Sequence, residues 1–302
     1  MTRRGWVLFG AMCLIWGIPY LLIKVAVRHL APVDLVFGRT LIGTALLLPI
    51  ALSRGQVRPL LARWRALLIY SLVEIAIAWL LLSDAETHIS SSLSGLLVAA
   101  VPLVGVLLTR VWGDQEALTR SRLLGLLLGV VGVGAVVGFD LGRITVISML
   151  EMAVVVTCYA LGPQILSRHL SDLPSLGVVS GSLAVCTVIF APAAVLQRPV
   201  QLPSASVIAA VIALGIVCTA IAFLVFFLLI AEIGPVRATV ITYINPAVAV
   251  ALGVTLLHEQ FTPGIGVGFA LVLAGSVLAA RRGGPNESGT RRKREGIPIA
   301  EP

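Results

Sequence analysis

Charged residues are scarce in this sequence. Asp, Glu, Lys and Arg together make up 12% of its 302 residues, about half of the fraction found in a soluble domain. Hydrophobic residues make up 58%, and the mean hydropathy is +1.04. A water-soluble core of this length does not need so many apolar residues, so the composition predicts an integral membrane protein whose solvent is lipid.

Several chemical motifs are missing as well. The chain has two lysines, Lys24 and Lys293, and neither lies in a G-x-x-x-x-G-K-[ST] loop, which argues against ATP-driven chemistry. H-E-x-x-H and G-x-S-x-G are also absent. The four histidines lie at segment ends or between segments, and the four cysteines lie inside apolar runs: His29, His88, His169 and His258; Cys13, Cys158, Cys186 and Cys218. We therefore expect no catalytic residues, no metal site and no cofactor, with the cysteines acting as small buried hydrophobic residues.

Ten apolar segments follow one another along the chain, each long enough to cross about 30 Å of hydrocarbon as a helix. They cover residues 5–27, 32–52, 66–83, 89–109, 121–139, 144–162, 174–197, 205–231, 236–257 and 263–280. Segment length favours helices, because strands of membrane barrels have only about ten residues of alternating character. The first segment is too long for a signal sequence and no small-residue cleavage site follows it, so we expect an uncleaved span.

The basic residues predict the orientation. If the N-terminus is cytoplasmic, 17 of the 22 Lys and Arg residues fall on the cytoplasmic side, three (Arg28, Arg143 and Arg198) fall on the other side, and Lys24 and Arg39 lie within spans. We therefore expect a multi-pass protein of the cell membrane with both termini in the cytoplasm. The net charge of +8 then faces anionic headgroups and the cytosol, and nucleic acid is not needed as a partner.

One pattern of residues occurs twice. Four positions recur 143 residues later, as Glu116 and Glu259, Thr119 and Thr262, Gly125 and Gly268, Gly132 and Gly275. The repeating unit is five spans, and because five is odd the second copy must enter the membrane in the opposite orientation. The sequence thus predicts an all-α membrane fold of ten transmembrane helices arranged as two inverted five-helix repeats, residues 5–139 and 144–280. Secondary transporters use this architecture, with the substrate site between the halves.

The repeated polar stretch, "EALT" in the first copy and "EQFTPG" in the second, is interpreted as structural. Thr119 and Thr262 are suited to cap the N-terminus of the following helix. Glu116 and Glu259 are expected to lie at the membrane surface near the positive N-terminus of that helix. The glycines that follow allow close helix packing in lipid. Such small-residue pairs are compatible with a homodimer, although packing within one chain uses them equally well.

The chain resembles the EamA-type branch of the drug/metabolite transporter superfamily. The resemblance lies in "IWGIPYLLIKVA" at 15–26, "FGRTLIGTALLL" at 37–48, and the run from "LGIVCTAIAFLVFF" through "GPVRATVITYINPAVAVALGVTLLHEQFTPGIGVGFALVLAG". It covers roughly residues 5–281. It implies a ten-helix secondary transporter that moves small metabolites, amino acids or drug-like compounds, often outward. A passive channel or a membrane scaffold, and less so a polytopic membrane enzyme, remain as alternatives.

Charges inside the spans are the strongest candidates for function, because each costs roughly 2.5–3.5 kcal/mol at a helix centre unless it has a partner or a wet cavity. Glu74 lies near the middle of the third span, and its counterpart in the second copy is Cys218. We expect Glu74 to couple transport to protons or to hold a cationic group of the substrate; the alternative is a protonated structural glutamate. Arg39 and Glu151 come from different halves and could pair, either as structure or as an outer gate.

Aromatic and proline residues complete the candidates. Six side chains could line a cavity or contact substrate, and the aromatic ones could instead face lipid or pack against protein: Trp16, Tyr20, Trp79, Tyr159, Tyr243 and Asn245. Four prolines interrupt the backbone of spans and either flex during transport or are tolerated kinks: Pro19, Pro102, Pro163 and Pro246. The tail, residues 281–302, is expected to be disordered, basic and cytoplasmic, and partners are expected to be a small-molecule substrate, membrane lipid and protons as a coupling ion.

The topology leads to a labelling prediction. Tags on both termini should be accessible only from the cytoplasm, and a cysteine introduced in the 140–143 connection should react with a membrane-impermeant maleimide from outside intact cells. Labelling of both regions from the same side would overturn the predicted orientation.

Overall fold

A computed structural model describes residues 2–111, 120–139, 145–197, 202–234, 238 and 240–280. Within these residues the regular structure is entirely helical, with no strand. Glu116, Thr119 and the tail at 281–302, for which the sequence made predictions, lie outside the described residues.

The described chain forms ten helical segments, which we number in chain order. These are α1 (Arg3–Ile15 and Ile18–Ala26), α2 (Pro32–Ser53), α3 (Arg58–His88), α4 (Ser91–Val98 and Val101–Val111), α5 (Arg120–Phe139), α6 (Val146–Leu170), α7 (Ser175–Leu196), α8 (Ala205–Ile233), α9 (Ile241–Leu256) and α10 (Pro263–Ala280). Seven of them, α1 to α4 and α6 to α8, are long and apolar enough to cross a membrane. The apolar parts of α5, α9 and α10 are shorter.

Two helices extend well beyond the predicted apolar segments. Helix α3 covers Arg58–His88, against the predicted 66–83, and α6 continues to Leu170, against the predicted 162. The predictions followed runs of apolar side chains, whereas a helix continues for as long as its backbone groups find partners. At the end of α3 that partner is Lys24, whose Nζ donates to the carbonyls of Glu86 (2.6 Å) and Ile89 (2.8 Å).

The distribution of polarity is that of a protein in lipid. Large apolar side chains are well exposed on the outside of the bundle, as at Val130 (70%) and Val188 (72%). Small hydroxyl groups are buried inside, including Ser71, Ser148 and Ser180, each at 0% exposure. Soluble proteins show the reverse preference. The apolar outer surface therefore indicates contact with hydrocarbon.

Helices of the first half pair with helices of the second. The main pairs are α1 with α8, α2 with α7, α3 with α6, α4 with α9, and α5 with α10. The counterparts of α1 to α5 in the second half are α6 to α10, in that order. If every helix is replaced by its counterpart, the pair α1–α8 becomes the pair α6–α3, and the other three pairs are unchanged. Thr44 of α2 and Thr187 of α7, 143 residues apart, approach to 3.2 Å between their Oγ1 atoms. Both features are those expected of two halves related by a two-fold axis.

Helices α5 and α10 make the closest approach. A Cβ atom on Gly275 would lie 2.5 Å from the carbonyl oxygen of Gly125, and one on Gly132 would lie 2.8 Å from the amide nitrogen of Val272. The residue numbers on the two helices run in opposite senses along this contact, so the helices are antiparallel. Glycine is needed here because backbone meets backbone.

Two kinds of helix irregularity occur at equivalent places in the two halves. Helix α3 contains a π-helical segment at Ser71–Ile77, and α8 contains one at Ile216–Ile221. Pro49 inside α2 and Pro192 inside α7 are 143 residues apart, an equivalence that the sequence interpretation did not use.

The four prolines singled out from the sequence fall into two groups. Pro163 and Pro246 lie inside α6 and α9. Pro19 and Pro102 instead stand at the start of the second parts of α1 and α4, just after turns at 16–17 and 99–100. This is where proline is tolerated best, because the amide hydrogen that it lacks has no helical partner at a helix start.

The α5–α10 contact can be tested with two glycines of α5. Gly132→Ala places a methyl group against the backbone of α10, whereas a Cβ atom at Gly134 meets nothing within 4 Å. We expect Gly132→Ala to lower the free energy of unfolding by about 1–3 kcal/mol relative to Gly134→Ala, as overpacking does. Thermal unfolding in detergent, followed by size-exclusion chromatography, measures the difference. If the two variants were equally stable, α5 and α10 could move apart at this contact without a loss of unfolding free energy.

Candidate functional site

Arg39 of α2 is buried between the two halves, at 7% exposure. Its Nε donates to Thr219 Oγ1 of α8 at 2.9 Å, and its guanidinium carbon lies 3.6 Å from the centre of the Trp79 ring of α3. Stacking on tryptophan is a favourable environment for a guanidinium group, since the ring face carries partial negative charge. Among the described residues no carboxylate forms an ion pair with Arg39. The charge is therefore held in place without being neutralised.

Two tyrosines lie within electrostatic reach of this guanidinium, Tyr20 of α1 and Tyr159 of α6. Both rings pack into the hydrophobic core. Within the described part of the chain, neither hydroxyl group makes a hydrogen bond, and neither do the two Nη groups of Arg39. Buried polar groups are normally paired, so unpaired ones gathered in one place have capacity for a ligand.

Glu74 lies within the π-helical segment of α3. Its Oε2 atom is buried and accepts no hydrogen bond from a described residue. It is directed at Gly162 of α6, where even a methyl side chain would collide with the carboxyl group. Tyr159 feels the charge of both Glu74 and Arg39. We call Tyr20, Arg39, Glu74, Trp79 and Tyr159 the central polar cluster; four elements and both halves contribute to it.

The remaining polar and aromatic candidates lie elsewhere. Trp16 packs against Phe226 of α8, with ring centres 4.7 Å apart. The Tyr243 hydroxyl donates to the carbonyl of Ser276 at 3.4 Å, which joins α9 to α10. The Asn245 amide nitrogen, in the orientation that its neighbours require, donates to the carbonyls of Ile241 (3.0 Å) and Cys13 (3.1 Å). These three side chains connect helices and are not part of the central polar cluster.

The proposed pair of Arg39 and Glu151 does not form in this structure. Arg39 donates a hydrogen bond to Thr219 and stacks on Trp79, while Glu151 lies beside Asp84 of α3. Burial of Arg39 explains the difference, because stacking and a hydroxyl acceptor already hold the guanidinium inside the bundle. Glu151 remains as half of a carboxyl pair with Asp84, with its Oε2 atom buried and unpaired among the described residues.

Glu259 binds a different helix end from the one expected. Its carboxylate accepts hydrogen bonds from the amides and hydroxyls of Ser91 and Ser92, at the N-terminus of α4, and not from the following helix α10. Thr262 caps α10 itself, since its Oγ1 accepts from the amide of Ile265 at 3.2 Å. The sequence therefore predicts the Thr262 cap correctly. The contact between Glu259 and α4 forms only through the packing of the two halves.

Sequence reasoning missed Glu86, which is buried at 0% exposure in the last turn of α3. Prediction ended the third span at residue 83, just before two acidic residues. The helical period carried a signal, because Trp79, Leu82 and Glu86 lie three or four residues apart and all three are buried. Thr219, the partner of Arg39, was also missed, since only the fold brings α2 and α8 together.

A protein-family model provides the first comparison with known proteins. The EamA-like transporter family matches this chain twice, over residues 3–138 and 146–281. Together the two matches cover nearly all of the described helices.

Three individual relatives are also named as transporters. An "uncharacterized transporter YvbV" of Bacillus subtilis (strain 168) is 24% identical over 92% of this chain and 91% of its own length. An "uncharacterized transporter" of Archaeoglobus fulgidus is 23% identical over 92% of this chain and 99% of its own. The "uncharacterized inner membrane transporter YedA" of Escherichia coli (strain K12) is 28% identical over 84% of each chain.

A solved crystal structure shares the fold. It superimposes with a TM-score of 0.63 at 20% sequence identity and covers 98% of this chain and all of that one. Together with relatives that are similar over most of their length, the two family matches identify the chain as a membrane transporter that belongs to the EamA-like transporter family.

Proposed function

We propose that this protein is a secondary-active transporter, and that it moves a small molecule through the central polar cluster by alternating access between two inverted five-helix repeats. The observation that carries the proposal is a set of polar atoms between the halves without a hydrogen-bond partner among the described residues: the Nη groups of Arg39, the Tyr20 and Tyr159 hydroxyls and Glu74 Oε2. Glu74 Oε2 is fully buried, and an unpaired buried polar group costs about 1–3 kcal/mol. A substrate that supplies donors and acceptors removes that cost.

The proposed repeats are residues 5–139 and 144–280, with ten membrane-crossing helices. Support comes from the double family match and from the exchange of helix pairs between the halves. The shorter α9 does not argue against a crossing. Its 16 residues span about 24 Å, and a mismatch of a few Å costs only a fraction of a kcal/mol per Å. The basic residues favour the cell membrane with both termini, and the tail at 281–302, in the cytoplasm.

The substrate class that we propose is a small metabolite such as an amino acid, or a drug-like compound, carried outward. The central polar cluster offers both a cation, Arg39, and a carboxyl group, Glu74, beside aromatic rings. Such a combination suits a molecule with polar groups of both kinds and an apolar part. Protons are the proposed coupling ion, since Glu74 is the acidic member of the cluster.

Flux measurements on the purified protein in liposomes test the function. A panel of radiolabelled metabolites is offered with and without an imposed proton gradient. Saturable flux that responds to the gradient is expected. Flux that rises linearly with concentration would instead indicate a channel, and no flux across the panel, with intact protein, would favour a scaffold.

Arg39→Lys should reduce transport at least tenfold without loss of folded protein. A lysine keeps the positive charge but loses the planar stacking on Trp79 and the fixed donor to Thr219. The matched control is Arg63→Lys, because Arg63 forms an exposed ion pair with Asp172 at 3.2 Å, and such pairs contribute little. Similar flux for both variants would remove Arg39 from the transport site.

Glu74→Gln should weaken the pH dependence of transport, or change the preference between cationic and neutral substrates. Glutamine keeps the shape and hydrogen-bonding capacity of the side chain but does not titrate. Initial rates between pH 5.5 and 8 measure the effect on whichever substrate the panel identifies. Glu232→Gln is the control, since Glu232 accepts from Thr2 at the end of the bundle, away from the central polar cluster. Wild-type rates and preference at every pH would exclude a role for Glu74 in coupling or binding.

A further inference from the structure

Glu86 is a fully buried carboxyl group that the central polar cluster does not include. It lies in the last turn of α3 at 0% exposure, and neither of its oxygens accepts a hydrogen bond from any described residue. An ionised carboxylate without donors is among the most costly groups to bury, by several kcal/mol. A carboxylic acid avoids most of that cost. The covered position of this side chain therefore favours the neutral carboxylic acid.

Among the described residues, none forms an ion pair or a hydrogen bond with the Glu86 carboxyl group. Ser94 of α4 lies beside it and donates its hydroxyl to the carbonyl of Ser90 at 3.1 Å, which leaves the Ser94 oxygen able to accept from a protonated Glu86. The Lys24 ammonium of α1 is close enough to feel the charge, yet it donates to the backbone carbonyls of Glu86 and Ile89. Glu259, from the α9–α10 connection, adds a negative charge.

Other titratable groups lie on α3 itself and on the elements that pack against it. They are Tyr20 of α1, Arg39 of α2, Glu151 and Tyr159 of α6, Asp84 and His88 of α3 itself, and His258 next to Glu259. A surface pocket of about 350 Å³ opens beside them, lined by His88, Leu93, His258 and Glu259 among others. This pocket extends to His88, two residues after Glu86 in the chain, while the Glu86 carboxyl group itself stays covered.

We infer that Glu86 is a proton-binding site that holds this end of the bundle closed. With its proton, Glu86 remains buried among α1, α3 and α4. When the end opens, the carboxyl group meets water and gives its proton to it, and Lys24 can exchange the backbone carbonyls for the new carboxylate. The inference rests on the proposed alternating access, because it assigns one of the two closures to a titrating group.

Glu86 and Glu74 are separable on the same helix. Twelve residues place them about 18 Å apart along α3, so each can be changed without touching the other. Glu74 contacts Gly162 of α6, whereas Glu86 lies near α1, α4 and Glu259. The control for Glu86→Gln is Glu232→Gln, because Glu232 accepts from Thr2 at the end of the bundle and belongs to neither group.

The experiment follows the opening of this end without any substrate. Leu97→Cys places a thiol on α4 at a position that is 4% exposed and packs in the core with Tyr20, and its reaction with a membrane-impermeant maleimide is timed from pH 6 to 9 in liposomes. Leu202→Cys, at 95% exposure, gives the pH dependence of thiol chemistry itself, and the unmodified protein with its four buried cysteines gives the background. The rate at Leu97→Cys is divided by the rate at Leu202→Cys.

This ratio should rise with pH, by at most about tenfold per pH unit, as expected for one titrating group. In Glu86→Gln the ratio should stay low and independent of pH, while in Glu232→Gln it should rise as in the wild type. Lys24→Gln removes the cation that favours the carboxylate, so its rise should begin at higher pH; this variant decides the matter if Glu86→Gln does not fold. A pH-dependent ratio that survives in Glu86→Gln, or a flat one in the wild type, overturns the inference. Failure of the liposome flux assay would leave this result unaffected, so the two proposals can fail separately.

Discussion

Hydrocarbon offers no hydrogen-bond partner, and this constraint shapes the whole molecule. Every backbone group inside the membrane must be paired within the protein, which is why the described chain is helical wherever it is regular. Where a helix breaks, another part of the protein must supply the missing partner. At the turn in α1, Gly17 donates to Leu14 and not to Cys13, and the freed Cys13 carbonyl accepts from Asn245 of α9.

The same rule explains most polar contacts between helices. Lys24 completes the C-terminal carbonyls of α3, and Glu259 completes the N-terminal amides of α4. At the π-helical segment of α3, the carbonyl of Ser71 accepts from the Cys186 thiol of α7. Hydrogen bonds to charged groups contribute about 1.5–3 kcal/mol each, so these few side chains fix how the helices sit against one another. They are also the contacts that must change when the halves move.

The central polar cluster stands out because it departs from this rule. Arg39 has one hydrogen-bond partner and stacks on one aromatic ring. The two tyrosine hydroxyls have no hydrogen-bond partner among the described residues, and Glu74 Oε2 accepts no hydrogen bond from them. Around it, buried hydroxyls such as those of Ser71 and Ser83 are satisfied by carbonyls of their own helices. A cation, a carboxyl group and two phenol hydroxyls with incomplete pairing meet here between the two halves, and this combination is the physical basis for placing the transported molecule there.

Much of the fold was readable in the sequence. Apolar runs long enough for a membrane predicted the helices, and recurrence at 143 residues predicted two halves, because both predictions depend on the order and kind of side chains alone. Polar and aromatic residues within an apolar segment can be identified without a structure, and for this reason the sequence predicted Glu74, Tyr20, Trp79 and Tyr159 as candidates. The meeting of Arg39 with Thr219, the capping of α4 by Glu259 and the burial of Glu86 could not be read there. Each depends on which helix lies beside which and at what depth, and that choice is made by packing between residues far apart in the chain.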